Sequence, residues 1–229
     1  MNLFRKAGVV IFCQSVFLQS VQAEENISFD AFPRAGIGLN DLTYVRPDGT
    51  TLDASYTTLN LGLTVNFEKF YIDAGGEFFG VDFLENQGDI TGIERQDYTF
   101  TAGYGLTQEI SAFLGYTVGE MKDDFVGEFH DDRGYFIGAG YSYLHNQTNY
   151  AATMAYADLD GKITVDGQPA QNTKGQTSGF SYGVTVSGPF RDTMGYTIGL
   201  KIRQYDYEVD GTNEVTDKKI TSLTLGLVF

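Results

Sequence analysis

The sequence predicts an all-β chain of about ten antiparallel strands, closed in up-and-down order into a transmembrane barrel, with eight strands as the alternative. Apolar residues alternate with small or polar ones along about ten segments, and short connectors alternate with long polar ones. After the first 23 residues, no apolar run is long enough for a membrane helix. The mean hydropathy of −0.18 is compatible with a barrel, because each strand turns only half of its residues toward lipid.

The first 23 residues have the pattern of a cleaved export signal. Arg5 and Lys6 precede a mostly apolar stretch from Ala7 to Leu18, and Val21 to Ala23 has the small-x-small form of a cleavage site. We expect residues 24–229 to form the mature barrel domain. This part contains no cysteine, so its stability cannot depend on disulfides.

Ten segments of alternating residues follow in order along the chain. Their apolar, lipid-facing positions run over Ala35 to Leu39, Leu59 to Phe67, Phe70 to Phe78, Tyr98 to Leu106, Ile110 to Val118, Tyr135 to Tyr143, Tyr150 to Tyr156, Phe180 to Val186, Met194 to Ile202 and Leu223 to Phe229. The other face carries residues such as Asn60 and Ser181, which cannot form the dry core of a soluble barrel. The alternation therefore favours a membrane barrel.

The connectors between these segments differ in length in a regular way. Short ones lie at 66–70, 106–109, 145–149 and 187–192, and long polar ones at 46–54, 81–96, 119–133, 158–177 and 206–217. Short periplasmic turns and long external loops are typical of outer-membrane barrels. An even number of strands would put both ends of the barrel on the periplasmic side.

Aromatic residues are predicted to form a girdle at each membrane interface. The ring of Tyr can face acyl chains while its hydroxyl stays hydrated. The outer girdle would contain Tyr44, Tyr56, Tyr98, Tyr116, Tyr135 and Tyr156. The periplasmic girdle would contain Phe67, Phe70, Tyr143, Tyr150 and Phe190.

The last strand ends with Ser222, Leu225, Leu227 and Phe229 in the pattern of a barrel-assembly signal. With the export signal and the connectors, this ending resembles the small outer-membrane β-barrel proteins of Gram-negative bacteria, the OmpA/OmpX-like group. The family usually has Gly where this chain has Thr224. The resemblance implies an outer-membrane location among lipids and lipopolysaccharide, insertion by the barrel-assembly machinery, and periplasmic chaperones as partners. It does not select a function, because members act as pores, adhesins, structural barrels or enzymes.

Charged residues at inward positions suggest a network inside the barrel. Asp73 and Glu77 lie on the third predicted strand, Lys201 and Arg203 on the ninth, and Arg34 near the base of the first. The third and ninth strands are nearly opposite in a ring of ten, so their side chains could meet across the lumen. The network would form either a porin-like constriction or gate in a narrow pore, or a plug in a structural barrel.

The five long connectors contain 20 acidic and 6 basic residues. This favours, as the alternative function, an adhesin or ligand-binding barrel that acts through acidic external loops. Divalent cations are potential partners there, but the segment from Asp158 to Gly161 only weakly resembles a calcium loop, so no metal site is predicted. A sequence pI near 4.3 argues against nucleic-acid binding.

Catalysis has little support in the sequence. The two histidines, His130 and His145, have no serine nearby in a nucleophile motif. His130 beside Asp131 and Asp132 resembles the Asp/His chemistry of outer-membrane proteases only loosely. A lipid-modifying enzyme or a protease is therefore the least favoured class, and no catalytic residue or cofactor is predicted.

Overall fold

The computed structural model is a closed antiparallel barrel of ten strands, which confirms the predicted fold class and the higher strand count. It describes residues 29–45, 49–79, 93–123, 128–165, 167, 172–191, 193–212 and 214–229, so the predicted export signal lies outside it. The strands are β1 (Phe29–Val45), β2 (Thr51–Phe67), β3 (Phe70–Phe79), β4 (Ile93–Gly105), β5 (Ile110–Asp123), β6 (Glu128–His145), β7 (Thr148–Val165), β8 (Thr173–Arg191), β9 (Met194–Val209) and β10 (Val215–Val228). No helix in these ranges is long and apolar enough to cross a membrane.

The last strand closes the ring against the first. Leu227, Leu225 and Leu223 of β10 pair with Ala35, Ile37 and Leu39 of β1. Following paired residues from Pro33 once around the ring leads back to β1 at Val45, twelve residues further along. This stagger is the shear that tilts the strands of a closed barrel.

The predicted lipid face is the outer face of the barrel. Large apolar side chains are exposed on every strand, among them Leu61, Phe100, Ile137, Val184 and Leu225. Between them, small and polar residues point into the lumen, together with some large side chains such as Tyr71 and Phe113. The turn at Asn146 and Gln147, at the end of the barrel that the sequence predicts to be periplasmic, is tight, and both residues have positive φ, as a two-residue hairpin of type I′ requires.

Three of the long connectors are shorter in the structure than the sequence predicts. β5 continues to Asp123 and β6 begins at Glu128, so most of the predicted 119–133 loop belongs to strands. The 158–177 and 206–217 connectors are likewise largely strand. The outward face of these strand ends is polar, as at Asp131, Asp160 and Asp206, so the missing apolar face suggested loops where the backbone ladder continues. The wall of the barrel therefore extends beyond the apolar band.

Two members of the predicted outer girdle do not face the membrane. Tyr56 points inward and packs against Leu42, Met121 and Ile220, while Tyr44 lines a recess at the outer mouth. Both residues keep the inward phase of their strands, on which the neighbouring Thr58 and Asn40 are also buried. Tyr98 and Tyr135 are exposed outward, as predicted.

Candidate functional site

Among the side chains that the structure describes, nine charged ones face the lumen and are buried or half-buried. The cations are Arg34, Arg95, Lys201, Arg203 and Lys218, and the carboxylates are Asp73, Glu77, Asp97 and Asp132. Burying a charge is costly unless it is paired and hydrogen-bonded. The partners of these nine groups therefore determine what the lumen can do.

The ion pair nearest the periplasmic end lies along the wall of the barrel. Arg34 of β1 donates from both terminal nitrogens to Asp73 of β3, with Nη2 at 2.9 Å from Oδ1. Thr64, on the strand between them, donates to the same carboxylate. Gly62 provides room for this arrangement, because a Cβ there would meet the guanidinium of Arg34. The pair joins nearby strands and does not cross the bore.

Arg203 makes the connection that does cross the bore. From β9, its Nη2 donates to Glu77 Oε2 on β3 at 2.8 Å, and its Nη1 lies 3.3 Å from Asp97 Oδ2 on β4. In the ring, β4 is five strands from β9 in either direction, so the two are diametrically opposite. Arg95 completes the group with two 2.8 Å bonds to Asp97. Two cations and two carboxylates thus compensate each other.

A third pair lies at the outer mouth. Lys218 of β10 and Asp132 of β6 approach to 3.4 Å, and Thr177 donates to the same carboxylate at 2.8 Å. Exposed Asp217 and Lys219 flank Lys218 on the outer face, so this level lies outside the apolar band. Burial, followed by repulsion from Arg95, lowers the pKa of Lys218 to about 8. Burial opposes ionisation of Asp132 too, but Lys218 and Arg95 hold its pKa below the usual value.

The mouth pair forms part of the floor of a recess that opens outward. Its walls include Tyr44, Tyr205 and Tyr207, with His130 and Lys162 beside them. The ring of His130 meets Tyr44 edge-on, with centroids 6.1 Å apart. Because the strands extend beyond the apolar band, the residues that line this recess are held by hydrogen-bonded strands.

Aromatic side chains fill the periplasmic half of the lumen beside the Arg34 pair. Tyr71 and Phe113 are 1% and 5% exposed, and Phe136 packs against their cluster. Gly103 provides space for the Tyr71 ring, since a Cβ there would fall on it. This half of the bore is therefore filled by rings as well as charges.

The predicted lumen residues divide among these features. Glu77 and Arg203 meet across the bore, Arg34 and Asp73 form a separate pair, and Lys201 attracts Glu77 without reaching ion-pair distance. The five residues thus lie in two groups, because the Arg34 guanidinium is directed to the wall beside it, and a role for them in gating or plugging the lumen stays a prediction. Sequence reasoning missed Arg95, Asp97 and Lys218 and placed Asp132 in a loop. Continuing the two-residue alternation past the apolar segments would have found them.

The other predicted residues lie on the last strand and at the two ends of the barrel. Leu225, Leu227 and Phe229 point outward and Ser222 points into the lumen. His145 lies at the periplasmic end and His130 at the mouth, so the two histidines are far apart. No group of metal-ligating side chains is present in the part of the chain that the structure describes.

No protein-family model and no curated protein sequence matches the chain. Solved structures match it in fold. The outer membrane protease OmpT from Escherichia coli superimposes with a TM-score of 0.57 at 12% identity, over 90% of this chain and 99% of that one. The fold is that of outer-membrane β-barrels.

Further matches are more distant. An outer membrane channel from Pseudomonas putida F1 gives a TM-score of 0.48 at 11% identity, over 92% of this chain and 100% of that one. The attachment invasion locus protein of Yersinia pestis gives 0.36 at 9% identity, over 87% and 97%. At such identities the likeness concerns fold alone. The predicted resemblance to outer-membrane barrels is confirmed at this level.

Proposed function

We propose that the protein is a non-enzymatic structural barrel of the outer membrane whose lumen is closed by its own side chains. The observation that carries this proposal is the Arg203 side chain, which spans the bore to carboxylates on β3 and β4. Arg203 is 6% exposed and Asp97 is also 6% exposed, so water has little access at this level. A conducting pore needs a continuous hydrated path, which these groups and the aromatic cluster interrupt.

An outer-membrane location is supported by three independent features. The outer face presents a continuous band of apolar side chains, which in water would be far larger than a soluble protein exposes. The fold is shared with outer-membrane proteins. The amino-terminal sequence predicts export.

Conductance in planar lipid bilayers tests the closed lumen. We expect the refolded wild-type barrel to be silent, and Arg203→Met to stay silent because Tyr71 and Phe113 still fill the periplasmic half. Lys219→Met, which changes an exposed outward lysine, is the matched control. Steady wild-type conductance would refute closure. Openings that appear only in Arg203→Met would show instead that the Arg203 bridge gates a narrow pore.

The expected lack of enzymatic activity can be tested separately. The mouth recess contains His130 and Asp132, but neither serine nor cysteine is among its lining residues, and Lys218 and Thr177 engage the carboxylate. We expect no turnover of peptides or lipid A by the purified barrel. Turnover that disappears in His130→Ala would overturn this expectation.

A second candidate function is surface recognition through the mouth recess. The observation that favours it is the concentration of three tyrosines, a histidine and two lysines around one outward opening. Concave, aromatic-lined sites with a few polar groups are typical of binding sites. If this function operates, Tyr44→Ala with Lys162→Ala should reduce adhesion of bacteria that display the protein, with the barrel still folded. Unchanged adhesion would exclude it.

A further inference from the structure

One lumen cation is left over when the charges are paired. Four cations and four carboxylates are accounted for by the Arg34, Arg203 and Lys218 groups, and Lys201 is the fifth cation. Within the described ranges Lys201 makes no ion pair within 4.0 Å and no hydrogen bond, although its ammonium attracts the Glu77 carboxylate from further away. It points inward, since Leu200 and Ile202 beside it face the membrane. It is half-buried, so its exposed surface lies in the lumen.

Two further donors without partners lie beside Lys201. Ser222 is directly opposite it on β10, and its hydroxyl is buried with no hydrogen-bond partner. Arg203 lies two residues along the same face of β9, and its Nε is also buried without a partner. Opposed side chains in a sheet are about 5 Å apart at Cβ, and alternate residues on one strand about 7 Å. The three groups therefore converge on one small region of the wall.

The chemistry of this group is that of an anion site. An ammonium and a guanidinium Nε are donors only, and a serine hydroxyl can donate to an anion. The nearby carboxylates accept no hydrogen bond from these three donors, because Glu77 and Asp97 are engaged by the terminal nitrogens of Arg203 and by Arg95. On the periplasmic side, the neighbouring inward positions are the paired Thr224 and Gly199, which are small and half-buried.

We propose that Lys201, Ser222 and the Nε of Arg203 bind a small oxyanion inside the lumen. A bound oxyanion supplies acceptors to the buried donors. The site is separate from the closure of the bore and does not require the barrel to conduct.

Inorganic phosphate is the probe. The barrel is refolded in detergent in the presence of phosphate, so that entry into a closed lumen is not limiting, and bound phosphate is measured by equilibrium dialysis with labelled phosphate. We expect one phosphate per wild-type barrel. Lys201→Met should bind it about tenfold to hundredfold more weakly, the loss expected for a hydrogen bond to a charged group. Ser222→Ala should have a smaller effect in the same direction.

Three controls keep the test decisive. Lys219→Met removes a neighbouring but outward lysine and should bind as the wild type does. Lys201→Arg retains the charge and should retain most of the binding. Acetate and chloride as competitors separate a site for oxyanions from one for any anion. The proposal is overturned if the folded wild type binds no phosphate, if Lys201→Met binds it equally well, or if chloride competes as strongly as acetate.

Discussion

The two halves of the lumen use the same ion-pair chemistry in different ways. In the periplasmic half, Arg34 reaches Asp73 two strands away and runs along the wall. In the outer half, Arg203 reaches Asp97 on the opposite strand and crosses the bore. The first arrangement ties neighbouring strands together, whereas the second closes the passage. Ion pairs inside a barrel therefore have to be judged by the strands that they join, and not by their number.

Removing Arg34 should have the largest effect on stability. Arg34→Met leaves Asp73, which is 2% exposed, buried without its cation. Breaking a buried pair on one side typically costs about 3–5 kcal/mol. The free energy of unfolding, measured by urea titration of the barrel in detergent, should fall by that amount. Arg34→Met with Asp73→Leu should recover part of it, and a single variant as stable as the wild type would show that the pair contributes nothing to the wall.

A substitution in the aromatic part of the same half should cost less. Gly103→Ala puts a methyl group onto the ring of Tyr71, which is 1% exposed and cannot move aside. Overpacking of this kind costs about 1–3 kcal/mol. Gly199→Ala is the matched control, since its Cβ would make ordinary contacts, the nearest at 3.6 Å from Thr185. Equal urea midpoints for the two variants would mean that the periplasmic half is loosely packed.

The outer mouth should show the smallest effect. Asp132→Asn removes the charge that faces Lys218 at 3.4 Å but keeps an oxygen that can accept from Thr177. At a partly hydrated rim this change should cost about 1 kcal/mol. Asp131→Asn, on the exposed face of the same strand, should leave the unfolding midpoint unchanged. A cost of 3 kcal/mol or more for Asp132→Asn would show that the mouth is as dry as the periplasmic half.

The sequence allowed the strand order, the lipid face and the β1–β10 closure to be predicted, because a two-residue period is visible locally. The contacts that close the lumen were less accessible. Arg95 and Asp132 lie where both strand faces are polar, so no hydrophobic contrast marked these segments as strands. Which residues Arg203 can reach also depends on the stagger of the strands. The stagger determines which residues of opposite strands lie at the same height along the barrel. Stagger is a property of the whole ring and is absent from any single segment.

The stagger of the ring gives the lumen charges a role during assembly. A slip of two residues at the β1–β10 seam would leave every side chain on its own face, so lipid contacts would not oppose it. It would change the shear of the closed ring, and with it the tilt of the strands and the relative heights of Arg203 and Glu77 across the bore. The contacts of Arg203 across the bore therefore depend on the register of the β1–β10 seam. They form only when this seam has closed in the correct register.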